Sequence, residues 1–380
     1  MKKILPEYAF TQEQLNRIAS LAQETGLTEN IVRILYGRGV DTAEKIVRFM
    51  RPSMKNFLDP FLMQGMREAV DLITEARNQR KVVAVFGDYD ADGVCASAIM
   101  YHTLRAFGIE AHVYIPERSD GYGLSMEAVD RIFEDCNPEL FITVDCGISC
   151  AKEAQYIYEL GCDVIVTDHH ELPEELPDCI LVNPKLKDDY PYDNLCGAGV
   201  AFKLACALLG ERAYEYLDFA TLATVADSVP LLGENRDIVT EGLKMFNRSM
   251  RPCFAELIGK TYDQITAQTL AFTLAPRINA AGRMGDARAA FQLFTSENTT
   301  RPKSSLRAAK KQRSTSTTRA NISSRANGST TLWVRSTLIT TNLSTSSREF
   351  SRRAEFLRCL SSTAATTVTL YLSTTLNSIT

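Results

Sequence analysis

Three aspartates at alternate positions follow a short apolar run near residue 82, and this stretch constrains the fold more than any other part of the sequence. The run Val82–Phe86 is β-branched and aromatic, as expected for a strand buried on both faces. Asp88, Asp90 and Asp92 come next, followed by a glycine and a small-residue segment. At ~5 Å in an effective dielectric of about 20, each pair of carboxylates costs roughly 3 kcal/mol. Protonation or a bound cation must relieve that repulsion, and for accessible aspartates at neutral pH we expect a cation.

Two other interpretations of Asp-x-Asp-x-Asp-Gly have to be considered. The pattern also opens an EF-hand calcium loop, which requires a bidentate glutamate at its twelfth position. Counted from Asp88, that position is Ile99, and the preceding residues predict a strand rather than a helix, so the EF-hand is disfavoured. An ordinary polar turn between a strand and a helix is the simpler alternative, and it stays open for this stretch taken alone.

Strand–helix alternation begins at Lys81 and predicts a parallel sheet with right-handed crossovers. We expect strands at Val82–Phe86, Ala111–Ile115, Leu140–Val144, Asp163–Thr167 and Ile180–Val182. We expect helices near residues 94–107, 125–134, 151–160, 199–209, 213–226, 235–247 and 265–274. The predicted fold class is therefore α/β, a parallel sheet flanked by helices and followed by a helical segment, with residues 81–295 as one domain. Residues 1–80 show apolar positions at helical spacing and predict a helical N-terminal layer.

The strand-end pattern recurs twice. Asp145 follows the third predicted strand, and Asp168, His169 and His170 follow the fourth. Because the carboxyl ends of parallel strands meet at one edge of a sheet, where open α/β folds bind ligands, we expect these side chains to gather there. Adjacent histidines also occur in plain polar loops, and that alternative stays open for the pair alone. Asp168 can orient an imidazole by hydrogen bonding, as carboxylates near metal-bound histidines commonly do.

Asp227 contributes a further carboxylate. It ends an otherwise apolar predicted helix and precedes a turn that contains Pro230. The carboxyl end of a helix repels anions, so an acid without a partner is unfavourable there. This placement suggests metal coordination, and an aspartate solvated at a helix end is the alternative. An oxygen-rich ligand set with a single imidazole suits Mn²⁺ or Mg²⁺ better than Zn²⁺.

Charge and composition limit the classes of function. Residues 301–380 contain 13 Lys or Arg against 2 Glu, a net of +11, whereas residues 1–300 carry a net of −15. So acidic a region argues against a broad phosphate-binding surface, and we expect any polyanion to be held locally by metals and a few arginines. No apolar run approaches the ~18 residues of a membrane span, and the N-terminus lacks the apolar stretch of a signal peptide. The ten cysteines include no Cys-x-x-Cys pair, so we expect reduced thiols in a cytoplasmic protein without a membrane association.

Taken together, these motifs resemble the DHH phosphoesterase superfamily, named for the triplet Asp168-His169-His170, and within it the RecJ family of single-strand-specific 5′→3′ DNA exonucleases. The resemblance runs from about residue 30 to residue 295. It rests on Gly37–Thr42, Asp59–Leu62, Gly87–Gly93, Arg118, Gly121–Leu124, Val144–Gly147, the triplet, Cys196–Lys203, Ala226–Pro230 and Arg277–Arg283. Other superfamily members usually have a histidine four residues before the first motif aspartate. Ala84 occupies that position here, and the additional Asp92 is typical of the RecJ type.

The resemblance implies a catalytic site with two metal ions, Mn²⁺ or Mg²⁺, bridged by Asp145. One ion would be held by Asp90, Asp145, His169 and Asp227, and the other by Asp88, Asp92 and Asp145. His170 would contact the scissile phosphate, and Asp168 would orient a histidine ring by hydrogen bonding. The implied nucleic-acid contacts are Arg277, Asn279 and Arg283, with Arg118 and Tyr122 as further contacts for which an ordinary structural role is the alternative.

The implied function is hydrolysis of single-stranded DNA from its 5′ end to 5′-mononucleotides by a two-metal mechanism, in DNA repair and recombination. The implied partners, besides single-stranded DNA, are a helicase and a single-strand-binding protein. One alternative is a DHH phosphoesterase acting on cyclic dinucleotides or short oligonucleotides, against which Ala84 and the N-terminal helical layer argue. The other is an inactive nucleic-acid-binding remnant, although every implied metal ligand is present.

The sequence changes character after about Thr295. Residues 301–380 contain 32 Ser or Thr, no Asp and almost no apolar periodicity. The resemblance would instead imply a long helix, a second domain with a substrate motif containing glycine and histidine, and an oligonucleotide-binding barrel. We expect a frameshift near residues 295–300 and an abnormal, mostly disordered tail over residues 296–380, with metal binding retained and processive digestion impaired. Translation of the coding DNA in the other two frames beyond Thr295 tests this expectation.

Overall fold

The computed structural model describes residues 10–117, 123–186, 190–259, 262–283 and 287–296, apart from the side chain of Arg283. The predicted tail lies outside the described residues except for Ser296, and the expected frameshift and disorder stay predictions. Among the described residues, no helix has both the length and the hydropathy needed to cross a bilayer. All nine cysteines in this part of the chain are free thiols, as expected for reduced cysteines.

Five parallel strands form a single sheet. They are β1 (Val83–Gly87), β2 (Ala111–Tyr114), β3 (Leu140–Val144), β4 (Asp163–Thr167) and β5 (Ile180–Val182), in the spatial order β2-β1-β3-β4-β5. Each predicted strand is confirmed to within one residue at either end. The last residues of β1, β3 and β4 are aligned, since Gly87 pairs with Val144 and Val144 with Thr167. The carboxyl ends of these three strands therefore meet at one edge, as the α/β prediction requires.

Helices flank the sheet and make up most of the rest of the described chain. In chain order they are α1 (Gln12–Thr25), α2 (Glu29–Tyr36), α3 (Ala43–Met50), α4 (Met66–Gln79), α5 (Ala91–Phe107), α6 (Met126–Cys136), α7 (Ala151–Glu159), α8 (Gly197–Leu209), α9 (Leu217–Ala226), α10 (Gly233–Arg248), α11 (Pro252–Ile258), α12 (Ala267–Thr269), α13 (Ala275–Arg283) and α14 (Ala287–Thr295). Short 3₁₀ turns lie at Met54–Asn56, Pro60–Leu62 and Gly210–Tyr216, and a π-helical turn at Leu270–Leu274 leads into α13.

Strand side chains alternate between the two faces of the sheet and pack into two buried clusters. Val85 and Ile142 belong to the cluster that includes residues of α4, α5, α8 and α9. Phe86 and Phe141 belong to the other cluster, with residues of α6 and α7. A third cluster forms the interior of α1–α3 and consists of Ile18, Leu21, Ala22, Val32, Leu35, Val40 and Ile46. This third cluster gives the predicted N-terminal layer an apolar interior of its own.

Two helices beside the strand ends begin earlier than predicted. We expected helices from Val94 and Gly199, but α5 begins at Ala91 and α8 at Gly197. Glycine is a poor helix former, and propensity alone therefore placed Gly93 and Gly197 outside the helices. Gly93 nevertheless lies inside α5, at a position where a Cβ would overlap the carbonyl group of Asp88. The aspartates of the first motif consequently lie partly inside the first turn of α5.

Buried ion pairs attach the N-terminal layer to the helices behind the sheet. Lys203 Nζ on α8 lies 2.8 Å from Glu234 Oε1 on α10, and their side chains are 1% and 0% exposed. Glu234 Oε1 also accepts a hydrogen bond from the backbone N–H of Leu58 at 3.0 Å. One turn along α10, Asp237 Oδ2 lies 3.2 Å from Arg48 Nη2 of α3. We refer to Arg48, Lys203, Glu234 and Asp237 as the interface network.

Candidate metal centre

The first motif folds tightly at the end of β1. Asp88 is 4% exposed, and its Oδ1 atom has no hydrogen-bond partner among the described residues. Burial, and then the neighbouring charge of Asp90, raises the pKa of Asp88 to about 7. Asp90 caps α5, since its Oδ1 accepts hydrogen bonds from the backbone N–H groups of Asp92 at 2.8 Å and Gly93 at 3.0 Å. Burial raises the pKa of Asp90 as well.

Asp92 connects α5 to α8. Its Oδ2 accepts from the backbone N–H of Gly197 at 2.8 Å, and its Oδ1 from that of Ala198 at 2.7 Å. These amides belong to the first turn of α8, where N–H groups have no partner within the helix. Burial, followed by the charges of Asp227 and Asp90, nevertheless raises the pKa of Asp92 well above its ordinary value. Asp92 therefore orders the site even before any ligand binds.

Asp145 follows β3 in a left-handed backbone conformation, with φ of 62°. Its backbone N–H donates to the carbonyl of Thr167 at 3.0 Å, which continues the β3–β4 pairing by one residue. The side chain is buried, and its Oδ1 has no hydrogen-bond partner among the described residues. A Cβ on Gly197 would overlap this carboxylate, so only glycine permits the close approach of α8. Burial and the neighbouring charges of Asp92 and Asp90 raise the pKa of Asp145 well above its ordinary value.

The Asp-His-His triplet follows β4. Asp168 Oδ2 accepts from the backbone N–H of Ile148 at 3.0 Å, and Oδ1 accepts from the N–H of His169 at 2.7 Å. Asp168 Oδ1 also lies 2.7 Å from Nδ1 of His170. Burial opposes ionisation of Asp168, but the hydrogen bond to His170 and the charges nearby outweigh it and lower the pKa. The same bond outweighs burial at His170 and raises the imidazole pKa, so this ring is oriented and favours its cationic form.

His169 faces the carboxylates of the other segments. Its Nε2 lies 3.2 Å from Asp145 Oδ1, 3.7 Å from Asp92 Oδ2 and 3.9 Å from Asp227 Oδ2. Burial is the largest influence on its pKa and lowers it, which favours the neutral imidazole that a metal ion requires. Asp227 directly follows the last residue of α9, with 30% of its side chain exposed.

Three groups of these side chains are close enough to hold a metal ion. Within each group the ligand atoms lie within 4.8 Å of one another, and the groups are Asp88–Asp90–Asp145, Asp92–His169–Asp227 and Asp145–His169–His170. Asp145 and His169 each belong to two of the groups. The groups rest on distances between ligand atoms, and the assignment of ligands to two ions that the resemblance implies stays a prediction.

The donor set fits a divalent cation. Asp88 Oδ1 and Asp145 Oδ1 are buried and make no hydrogen bond among the described residues, although His169 Nε2 lies 3.2 Å from Asp145 Oδ1. A buried polar atom without a hydrogen bond is costly. Carboxylates outnumber imidazoles in two of the three groups, and the third contains one carboxylate and two imidazoles. The combined set is rich in oxygen ligands, which suits Mn²⁺ or Mg²⁺.

The structure describes the side chains of two of the predicted nucleic-acid contacts, Arg277 and Asn279. Arg277 Nη1 on α13 donates to the carbonyls of Leu257 and Ile258 at the end of α11, the latter at 2.7 Å. Asn279 Oδ1 accepts from the backbone N–H of Ala91, the first residue of α5, at 2.8 Å. Both side chains therefore make contacts within the protein, and their nucleic-acid roles stay predictions. The remaining predicted contacts lie outside the described residues: Arg118, Tyr122 and the side chain of Arg283.

One segment beside the site was missed by the sequence reasoning. Asn183 follows β5 and is 1% exposed, and its Nδ2 donates to the carbonyl of His170 at 3.1 Å. Its Oδ1 accepts from the backbone N–H of Lys185 at 2.9 Å, and Lys185 Nζ lies 3.2 Å from Glu171 Oε1. The signal was present in the sequence, because Asn183 and Lys185 follow a predicted strand as the other site segments do. Only acids and histidines were considered as candidates at those strand ends.

The chain is similar in sequence and fold to known proteins. The family model described as "DHH family, N-terminal domain" matches residues 82–226. The single-stranded-DNA-specific exonuclease RecJ of Bacillus subtilis (strain 168) is 44% identical over 289 residues, which cover 74% of this chain and 37% of that protein. The chain thus spans little more than a third of the length of this relative.

Two crystal structures are also similar. Exonuclease RecJ bound to manganese is 38% identical with a TM-score of 0.62, and the match covers 71% of this chain and 70% of that one. RecJ from Thermus thermophilus in complex with Mn²⁺ is 33% identical with a TM-score of 0.65, and the match covers 82% of this chain and 46% of that one. With the motifs, the strand order and these similarities in agreement, this chain belongs to the RecJ family of DHH proteins.

Proposed function

We propose that this chain is a metal-dependent exonuclease that hydrolyses single-stranded DNA to 5′-mononucleotides in the 5′→3′ direction. The observation that carries the proposal is the buried group of carboxylates at the strand ends, in which Asp88 Oδ1 makes no hydrogen bond among the described residues and the basic atom beside Asp145 Oδ1 is His169 Nε2 at 3.2 Å. Charge buried in this way is strongly unfavourable unless a counter-ion compensates it. The similar RecJ of Bacillus subtilis is named as a single-stranded-DNA-specific exonuclease, and a similar RecJ structure is bound to manganese.

We propose Asp88, Asp90, Asp92, Asp145, His169 and Asp227 as the metal ligands. The distances favour one ion at Asp88, Asp90 and Asp145 and a second at Asp92, His169 and Asp227. Mn²⁺ or Mg²⁺ fits this oxygen-rich set best. Bound there, a pair of divalent ions would supply a water of lowered pKa and neutralise the charge that develops on the phosphate.

His170 is the side chain proposed to contact the scissile phosphate. Its side chain is 42% exposed, whereas that of His169 is 12% exposed. The bond from Nδ1 to Asp168 fixes the ring and favours the imidazolium form, which suits an anionic phosphodiester. Asp168 therefore acts through His170, by holding its orientation and its charge.

Other parts of the proposal rest on family membership. These are the 5′→3′ direction, a role in DNA repair and recombination, a cytoplasmic location, and partnership with a helicase and a single-strand-binding protein. The alternative substrates, cyclic dinucleotides or very short oligonucleotides, are not favoured, since the similar proteins named above are RecJ exonucleases.

The test is hydrolysis of a 5′-labelled single-stranded oligonucleotide by the purified full chain in the presence of Mn²⁺. We expect labelled mononucleotide as the product, no product in EDTA, and a rate lowered by about 10³-fold in Asp145→Ala. Asp163→Ala is the matched control, because Asp163 begins β4 at the opposite edge of the sheet and pairs with Lys81 at 3.1 Å. It should retain the wild-type rate.

Two results would contradict the proposal. If Asp145→Ala hydrolyses the oligonucleotide in Mn²⁺ as fast as the wild type, the assignment of the metal site is wrong. Cleavage of cyclic dinucleotides or dinucleotides with no cleavage of the longer oligonucleotide would move the chain to the alternative class of DHH phosphoesterases.

A further inference from the structure

The segment after β5 is fixed firmly to the Asp-His-His triplet. The backbone N–H of Asp168 donates to the carbonyl of Val182 at 3.1 Å, which continues the β4–β5 pairing. Asn183 then bonds to both sides, donating to the carbonyl of His170 and accepting from the N–H of Lys185. Because Asn183 is buried, this link is shielded from water, and the backbone of Lys185 is held beside the triplet.

The Lys185 ammonium lies next to the residue that follows His170. Its Nζ is 3.2 Å from Glu171 Oε1, and the two side chains are 23% and 77% exposed. An ion pair with so exposed a partner contributes little to stability. Another anion can therefore replace the Glu171 carboxylate at little cost.

The strand order decides what that anion could be. Along the edge of the sheet the order β3-β4-β5 places Asp145, then the triplet, then Lys185. A DNA strand whose scissile phosphate lies at His170 and which continues towards β5 brings a neighbouring phosphate to Lys185. Residues 1–300 carry a net charge of −15, so a polyanion in this region needs local cations.

We propose that Lys185 binds a backbone phosphate adjacent to the scissile one, by exchanging its ion pair with Glu171 for one with the DNA. This inference rests on the proposed exonuclease function and adds a substrate-binding residue to it. Glu171 in turn limits affinity, since it competes with the DNA for the ammonium and repels the phosphate. The two residues therefore have opposite effects on binding of the single strand.

The experiment measures KM for a single-stranded oligonucleotide at a series of salt concentrations. Each phosphate contact on a single strand contributes about 0.7 to the slope of log affinity against log salt. We expect Lys185→Ala to lower this slope by about 0.7 and to raise KM about fivefold at low salt, with a smaller change in kcat. Lys185→Arg should restore the slope. Glu171→Gln should lower KM about twofold, since it removes only a weak exposed competitor.

Lys244→Ala is the matched control for the loss of one lysine from an ion pair. Lys244 pairs with Glu241 at 2.7 Å on α10, and its side chain is 64% exposed. It lies 17 residues after Asp227 in the chain, on a helix that contributes no proposed ligand. Its removal should leave the salt slope unchanged.

Each outcome decides the question. A wild-type slope in Lys185→Ala, with or without a lower melting temperature, would reduce Lys185 to a structural role and overturn the inference. An increase of KM in Glu171→Gln would overturn the exchange of partners. If the wild-type chain cleaves nothing in Mn²⁺, the proposed function is wrong, but the role of Lys185 is not yet decided. Fluorescence anisotropy of a labelled oligonucleotide then measures binding by the same variants, and the salt dependence of that binding tests Lys185 separately.

Discussion

Two groups of buried carboxylates in the described part of the chain differ in what lies beside them. In the interface network, Glu234 lies 2.8 Å from the ammonium of Lys203, and Asp237 lies 3.2 Å from the guanidinium of Arg48. At the carboxyl ends of β1 and β3, four aspartates lie together as the strand-edge cluster: Asp88, Asp90, Asp92 and Asp145. The basic side chain that lies beside Asp145 is the imidazole of His169, whose pKa is itself lowered.

The carboxylates of the interface network stabilise the fold, whereas those of the strand-edge cluster are the proposed metal ligands. A buried ion pair with its hydrogen bonds satisfied is locally complete, so the interface network needs nothing from solution. In the strand-edge cluster the pKa of every member is raised, because burial and mutual repulsion disfavour ionisation. A site that is unfavourable alone and rich in oxygen ligands gains the most from a divalent cation.

Removal of one charge from each region should change the free energy of unfolding of the metal-free protein very differently. Glu234→Gln leaves the Lys203 ammonium buried without its counter-charge and should lower the free energy of unfolding by about 3–5 kcal/mol. Asp145→Asn removes a repelling charge and should leave the stability equal or higher. Urea denaturation in EDTA measures both. An equal loss of stability in the two variants would break the distinction between the regions.

Mn²⁺ should stabilise the protein through the strand-edge cluster alone. At a concentration of about 100 times Kd, binding to the folded state adds about 2.7 kcal/mol. The melting temperature of the wild type and of Glu234→Gln should rise on addition of Mn²⁺, and that of Asp145→Asn should not. A shift that persists in Asp145→Asn would locate the metal elsewhere.

Gly197 of α8 lies against the strand-edge cluster, in contact with Asp145. A Cβ there overlaps the carboxylate of Asp145, so Gly197→Ala should destabilise the Mn²⁺-bound protein by about 1–3 kcal/mol and weaken Mn²⁺ binding. Gly199→Ala is the control in the same helix, since its Cβ would lie 3.3 Å from the nearest atom, Leu195 Cβ. Calorimetric titration with Mn²⁺ compares the two, and equal affinities would contradict the close approach of α8 to Asp145.

The stability of the metal-free protein should also depend on pH through the strand-edge cluster, and we expect this effect to be small. The pKa of Asp88 is raised to about 7, so its contribution to stability is fully present below the unfolded pKa and is lost as the pH rises through 7. Metal-free protein should therefore be more stable at pH 6 than at pH 8, by about 1.4 kcal/mol from this group. Asp88→Asn should reduce the dependence, and Mn²⁺ should remove it by favouring the ionised form. A stability that increases from pH 6 to pH 8 in the wild type would show that other groups dominate.

Local sequence was sufficient for the sheet and for the edge at which the candidate ligands lie. Apolar runs of three to five residues set the strands, and a parallel sheet brings their carboxyl ends together whatever the details of packing. That is why the sequence alone places Asp88, Asp145 and His169 at one edge.

Long-range contacts decided the rest. The early start of α8 depends on Asp92, which bonds to Gly197 over a separation of 105 residues, and no local propensity encodes such a bond. The same holds for Asn279, whose acceptor role at Ala91 spans 188 residues. Sequence pattern names the charged residues and the strand each one follows, because backbone preference and periodicity are local. Whether a buried carboxylate lies beside a cation of the chain, as Glu234 does, or among other carboxylates, as Asp145 does, depends on side chains far apart in sequence, and only the tertiary structure decides it.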